Sequence, residues 1–238
     1  LPYKCSKHIK KNELKPWLSP MWVIAPKQNA EFVCRMEKVI TVYERPYNET
    51  QPVVTLDQSP KQLIESTHFI GKDGKKYQDS IYTRHGVRDI YLVFEPLAGK
   101  RYCFVEENHN RFTWVKIVSH LLDTTYKNCQ QITLVEDNLS AHKPSAFYEV
   151  YEPQKAKAYL DRIEFVFTPA HGSWLNMAEI ELAVLQSDCL DRHIATEEQL
   201  VKQVKAWQQK RNTKGVKANW QFTNQDARIK LKKLYPTI

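Results

Sequence analysis

The stretch Thr168-Pro-Ala-His-Gly-Ser-Trp-Leu-Asn-Met-Ala-Glu-Ile-Glu-Leu-Ala-Val-Leu185 changes character midway. Pro169 and Gly172 hold its first half out of a helix, and Ser173 is a good N-cap residue. From Trp174 to Leu190 apolar side chains fall on nearly every helical face, among them Leu175, Met177, Ala178, Ile180, Leu182, Val184 and Leu185. A helix that is apolar all round is a buried one. Two carboxylates, Glu179 and Glu181, interrupt it. A buried glutamate needs a cation or a metal to offset its desolvation. The plainer alternative is a solvent stripe, the usual place for a carboxylate. Helical geometry does not choose between the two, since both have apolar neighbours three and four residues away.

Upstream of this helix, Ile163-Glu-Phe-Val-Phe-Thr168 reads as a strand. So does Gln131-Ile-Thr-Leu-Val-Glu-Asp137, which stops at an acid. Residues 144–162 suit one or two short helices, and Phe112–Leu122 has a helical period. Asp89–Glu95 and Arg101–Glu106 are strands joined by a short turn containing Gly99, a hairpin. Gln51-Pro-Val-Val-Thr-Leu-Asp57 is a further buried strand ending in acid. Residues 65–88 are polar, carry Gly71, Gly74 and Gly86, and read as a long irregular excursion. Asn29 caps a helix marked by Phe32, Val33, Met36, Ile40 and Tyr43. Downstream, Thr196 opens a helix with acids in its first turn and bases in its last, as the macrodipole favours. A hairpin followed by alternating strands and helices predicts an α/β fold, a mixed β-sheet flanked by helices.

The 238 residues suffice for one large domain or two small ones, and 42% hydrophobic residues allow a real core. A net charge of +8 favours a polyanionic partner. No run approaches a membrane span and no secretory signal is visible, so no membrane partner is expected. The five cysteines are scattered and odd in number without a Cys-x-x-Cys pair, which indicates neither a zinc ribbon nor a disulfide framework and suits a reducing cytoplasm. Residues 1–28 are basic and broken by Pro16, Pro20 and Pro26. Residues 1–48 are expected to be a linker and helix following a further N-terminal module, and residues 49–238 the main domain.

Asp57, Asp137 and one helical glutamate are the chemical candidates. Sites in open sheets form beyond the carboxyl ends of strands. The strands ending at Asp57 and Asp137 become neighbours if the hairpin extends one side of the sheet and the later strands the other. Each aspartate alone is explained as a turn-former, Asp57 before Ser59-Pro60 and Asp137 with Asn138. Together with the glutamate they make a crowd of carboxylates that repel unless cations neutralise them. Oxygen ligands suit Mg²⁺ or Mn²⁺, and a pair of such ions serves phosphoryl displacement.

Thr55-Leu-Asp-Gln-Ser-Pro-Lys-Gln-Leu63, Val135-Glu-Asp-Asn-Leu-Ser-Ala-His142 and Thr168–Glu179 together resemble the three blocks of DDE transposases. The nearest group is the bacterial insertion-sequence transposases of the mariner superfamily, the IS-six-thirty group. The resemblance runs from about Pro26 to Tyr235. It implies an RNase H-like catalytic domain at 49–238 with a basic helical tail, and Asp57, Asp137 and Glu179 as catalytic residues and metal ligands for two Mg²⁺ or Mn²⁺ ions. Asn176-Met-Ala-Glu179 stands where many relatives have Asn-Pro-Ile-Glu, which selects Glu179 and leaves Glu181 in reserve. It further implies hydrolysis and strand transfer at the ends of an insertion sequence, with double-stranded DNA as partner, a homodimer to pair the ends, and a cytoplasmic, nucleoid-associated bacterial protein. Gln58 departs from the Glu often found after the first Asp, and the interval from Asp137 to Glu179 is longer than usual. Relatives carry N-terminal helix-turn-helix modules, and none is readable here. The rival readings are an inactive transposase-derived DNA-binding module and another RNase H-like nuclease.

Six further residues are candidates for nucleic-acid contact. Asn138 and His142 suit a hydrogen bond to a ligand carboxylate or a DNA phosphate, or simply cap the loop. His171 precedes a helix whose free N–H groups suit a phosphate. Lys205, Lys210 and Arg211 lie in a basic C-terminal part where Trp207, Trp220 and Phe222 are interleaved, a pattern of DNA-tracking surfaces. A solvated helix face with Trp207 packed inward explains the same pattern. Trp174 reads as a core anchor.

Overall fold

Five strands, β1 (Val53–Ile70), β2 (Lys76–Glu95), β3 (Lys100–Glu106), β4 (Ile132–Glu136) and β5 (Ile163–Phe167), form one mixed sheet in the order β3-β2-β1-β4-β5. β1 and β2, and β2 and β3, pair antiparallel; β4 runs parallel to both β1 and β5. The hairpin thus extends one side and the later strands the other, which makes β1 and β4 neighbours. The computed structural model describes residues 29–237, so the basic segment 1–28, read above as a linker, lies outside the described residues.

Alternation along the strands builds two cores. Val54, Leu56, Tyr91 and Val93 face α2 (Arg111–Asp123), with Trp114 wholly buried among them. Ile90, Leu92, Phe94, Val135 and Val166 face the other way, toward α1 (Ala30–Tyr43), α5 (Met177–Leu185) and α6 (Glu197–Thr213). β4 is buried at every residue, as expected of a parallel strand covered on both faces. The short helices α3 (Phe147–Val150) and α4 (Pro153–Leu160) fill the 144–162 interval. α1 is capped by Asn29, whose Oδ1 accepts the Phe32 N–H at 3.0 Å. Its Tyr43 hydroxyl donates to the Leu175 carbonyl at 2.7 Å, so α1 shares a core with the segment leading into α5.

Residues 65–88 correct the expectation of an irregular excursion. β1 and β2 continue past the sheet as a two-stranded ribbon, closed by a turn in which Gly71 N–H donates to the Lys75 carbonyl at 2.8 Å. Gly74 takes the left-handed φ of 75° that this turn requires. Among the described side chains of the ribbon none is buried, so the alternation that marks a half-buried strand is missing from them. Its base is pinned by the Ile64 N–H to Ile194 carbonyl bond at 2.7 Å and by Arg88 against Glu197 at 2.6 Å.

The start of the site helix also differs. Ser173–Leu175 is only a 3₁₀ turn, and α5 begins at Met177 with Asn176 as its cap. A π turn over Gln186–Leu190 carries the helix to its expected end. Trp207, Trp220 and Phe222 are all buried, which removes them from any DNA-tracking surface. Trp174 is the expected core anchor, stacked on Trp220 at 6.4 Å. α6 closes the open edge of β3 with side-chain amides: Asn212 Oδ1 accepts the Arg101 N–H and its Nδ2 donates to the Arg101 carbonyl, both at 2.8 Å, while Gln208 Oε1 accepts the Cys103 N–H at 2.7 Å. An open edge would otherwise invite another strand. Among the described residues, no helix is long and apolar enough to cross a membrane.

Candidate active site

The register places the two aspartates. Parallel pairing of β1 with β4 ends at Thr55 opposite Val135. Two residues past that last pair, Asp57 and Asp137 follow on the two neighbouring chains and line the same cavity. Both meet Glu179, Leu182 and Ala183 of α5 around that cavity, on the side of the sheet where Val135 is buried. Glu136, one residue earlier, points to the opposite face and accepts the Trp114 indole N–H at 2.9 Å. β1 does not end at Asp57, as the sequence suggested, but parts from β4 there and runs on into the ribbon.

Asp57, Asp137 and Glu179 line one cavity of about 480 Å³, with Gln58, Ser59, Thr168 and Asn176 among its walls. Asn176 ties the helix to the sheet. Its Oδ1 accepts the Ala178 N–H at 3.1 Å, and its Nδ2 donates to the Leu56 carbonyl at 3.0 Å and to Asp57 Oδ2 at 3.2 Å. Asp57 Oδ1 also accepts the Gln58 N–H at 2.8 Å. The cap of α5 is therefore Asn176 and not Ser173, the residue the sequence favours for that role. The signal was present: an Asn at an N-cap, three residues before the favoured glutamate.

The carboxylates sense each other. Burial pushes Asp57 up to about 7, and the charges of Asp137 and Glu179 add to that rise against the opposing Gln58 N–H. Glu179 is raised as well, first by burial and then by Asp137, with the Ser173 hydroxyl opposing. Glu179 Oε2 is buried with no hydrogen-bond partner. A buried, partnerless carboxylate oxygen beside two more acids is a donor set suited to a hard divalent cation. As placed, no group of three or more His, Cys, Asp or Glu among the described residues closes on one ion position. Asp57, Asp137 and Glu179 share the cavity without completing a cage.

Glu181 has a different task. It is buried, accepts from Arg101 Nε and Nη2, both at 2.9 Å, and receives Arg211 Nη2 at 2.7 Å. Arg101 is wholly buried and lies over the Phe94 ring at 4.1 Å. This ion cluster locks α5 to β3 and α6, and it takes Arg211 off the list of free DNA contacts. For His142 the first of the two expected partners is the one found: it is 2% exposed and its Nδ1 lies 2.7 Å from Asp137 Oδ1, so it meets a ligand carboxylate and not DNA. Burial alone would lower His142, but the Asp137 hydrogen bond and the Glu136 charge outweigh it and raise its pKa. Asn138, His171, Lys205 and Lys210 are exposed. His171 has a left-handed φ of 62°, rare for a residue with a side chain. A Cβ on the next residue, Gly172, would lie 2.6 Å from Pro169 Cγ, so the bend before the helix tolerates only glycine there.

Three solved complexes share this fold. The Mos1 mariner paired end complex with Mn matches with a TM-score of 0.53 at 12% identity, over 84% of this chain and 62% of that one. The mariner Mos1 paired end complex with Mg gives 0.56 at 11%, over 92% and 67%. The Mos1 Strand Transfer Complex gives 0.53 at 10%, over 84% and 62%. The chain therefore spans under two thirds of the length of the first of these proteins. At such identities the likeness speaks to fold, and the mixed sheet with its flanking helices is RNase H-like. No curated protein matches the chain. The model of the DDE superfamily endonucleases matches residues 52–201, which include Asp57, Asp137 and Glu179, and the chain belongs to that family.

Proposed function

We propose that this chain is the catalytic core of a DDE transposase, cutting DNA phosphodiesters at insertion-sequence ends and joining the freed 3′-hydroxyl to target DNA. The observation that carries the reading is the gathering of Asp57, Asp137 and Glu179, distant in sequence, around one cavity. Mg²⁺ or Mn²⁺ ions, two in number, would supply activation of the attacking oxygen and stabilisation of the leaving oxygen. Asp57 on β1 and Asp137 just past the end of β4 would be the ligands supplied by the sheet. Glu179, with its partnerless Oε2, would turn in from the helix to complete them. Asn176 keeps Asp57 oriented and fixes the start of the helix that carries Glu179. The hydroxyl of Ser173 and the loop from Thr168 wall the side on which a phosphate would enter.

The partner in this reading is double-stranded DNA, as transposon ends and as target. Exposed Lys205 and Lys210, Asn138 at the cavity loop and His171 before the helix would meet its backbone. Pairing two ends asks for two copies of the chain, a homodimer. The names of the structural neighbours, complexes of paired ends and of strand transfer, agree with this without deciding it.

The test is cleavage of supercoiled DNA carrying terminal inverted repeats, with Mn²⁺, by the wild type and by Asp137→Asn. The reading expects nicking and joining by the wild type, dependence on the repeats, and DNA binding without cutting by the variant. Cutting indifferent to the repeats would indicate a general RNase H-like nuclease. DNA binding with no cutting by either protein would indicate an inactive module.

A further inference from the structure

Asp137 lies one residue past β4, in a loop where strand hydrogen bonds no longer fix its side chain. Asn138, Leu139 and Ser140 after it are exposed, yet the loop folds back: the His142 N–H donates to the Leu139 carbonyl at 3.0 Å and the imidazole is buried. The ring stacks on Trp114, with centroids 5.7 Å apart and planes at 28°. Trp114 is itself immobilised. It is wholly buried, it meets Phe147 edge-on at 5.6 Å, and its indole N–H donates to Glu136, the last residue of β4. From this clamp, His142 Nδ1 reaches Asp137 Oδ1 at 2.7 Å. A carboxylate oxygen only accepts, so this contact requires a proton on Nδ1.

We propose that His142, clamped by Trp114, is the positioning residue of Asp137: its Nδ1–H holds Oδ1 and leaves the other oxygen directed at the cavity. The inference rests on the reading of Asp137 as a metal ligand and adds the residues that aim it. Charge-assisted bonds of this kind are short and directional, and partners behind a ligand commonly set its orientation. Trp114 and Glu136 act through the imidazole and touch no reacting atom. The arrangement also gives α2 a place in the site, because Trp114 reaches Asp137's neighbour from the sheet face opposite α5.

The test uses the whole chain with two substitutions. His142→Phe keeps a ring against Trp114 and removes the donor; His142→Asn places an amide N–H near the position of Nδ1. The ¹⁵N spectrum of the metal-free wild type should show Nδ1 protonated. Mn²⁺ titration should show affinity about tenfold or more weaker for His142→Phe, with a melting temperature close to that of the wild type, and substantial recovery in His142→Asn. An imidazole protonated at Nε2 alone, or a folded His142→Phe that binds Mn²⁺ like the wild type, overturns the inference. A wild type that binds no Mn²⁺ but carries the Nδ1 proton would sink the metal reading and leave the aiming of Asp137 standing.

Discussion

Asn176 Nδ2 donates to Asp57 Oδ2 at 3.2 Å while Asn176 Oδ1 caps α5 through the Ala178 N–H at 3.1 Å. One amide thereby joins the first carboxylate of the site to the helix that carries the third. Asn176→Ala should cost about 1–2 kcal/mol of stability through the lost cap and the Leu56 carbonyl left without its donor. Urea denaturation measures this. Cleavage should fall by more than the folded fraction does, because Asp57 loses its orientation.

Glu179 and Glu181 lie two residues apart and should fail in opposite ways. Glu179→Gln should lose DNA cleavage by about a hundredfold or more while melting at or above the wild-type temperature, since it removes a charge that burial and Asp137 disfavour. Glu181→Ala strands buried Arg101 and should cost about 3–5 kcal/mol. Thermal melts beside a nicking assay separate the two. A stable, inactive Glu181→Ala would reverse the assignment.

Asp57 makes stability depend on pH. Its folded value is pushed up to about 7 by burial and its acidic neighbours, against about 3.9 unfolded. The folded chain then holds the proton more tightly, so the stability linked to neutral Asp57 is complete below about 4 and is lost as pH rises through about 7. In metal-free buffer, Asp57→Asn should gain on the wild type across that window. Mn²⁺ at pH 8 should raise the wild-type melting temperature and leave that of Asp57→Asn nearly unchanged. Melting curves that stay parallel with pH would contradict this.

The strand order was legible because the hairpin and the later strand–helix alternation carry local signals, and the acids at positions 57 and 137 closed two apolar runs. What was hidden depended on partners far along the chain. Glu181 is explained by Arg101, 80 residues away, and no local pattern announces such a pair. Arg211 reads as a free cation until Glu181 comes to meet it, and His142 keeps three possible roles until Asp137 is seen beside it. The ribbon beyond residue 64 buries none of its described side chains and so lacks the period that betrays a strand. Trp207, Trp220 and Phe222 alternate with lysines along the chain but turn inward once folded, because their apolar area outweighs the local charge pattern.

Lys205 and Lys210 should behave differently from Arg211. If the exposed lysines meet DNA phosphates, Lys205→Ala and Lys210→Ala weaken binding evenly across sequences and each lowers the salt slope by about 1. Arg211→Ala should instead reduce stability, because it leaves Glu181 with one cation fewer. Filter binding over a salt series, with melts on the same samples, distinguishes these outcomes.

The most direct measurement is the anomalous diffraction of crystals grown with Mn²⁺. The account predicts manganese between Asp57 and Asp137, with Glu179 turned in to share the coordination. Crystals saturated with Mn²⁺ but bare at that cavity, or Glu179 held away from an ion bound there, would contradict it.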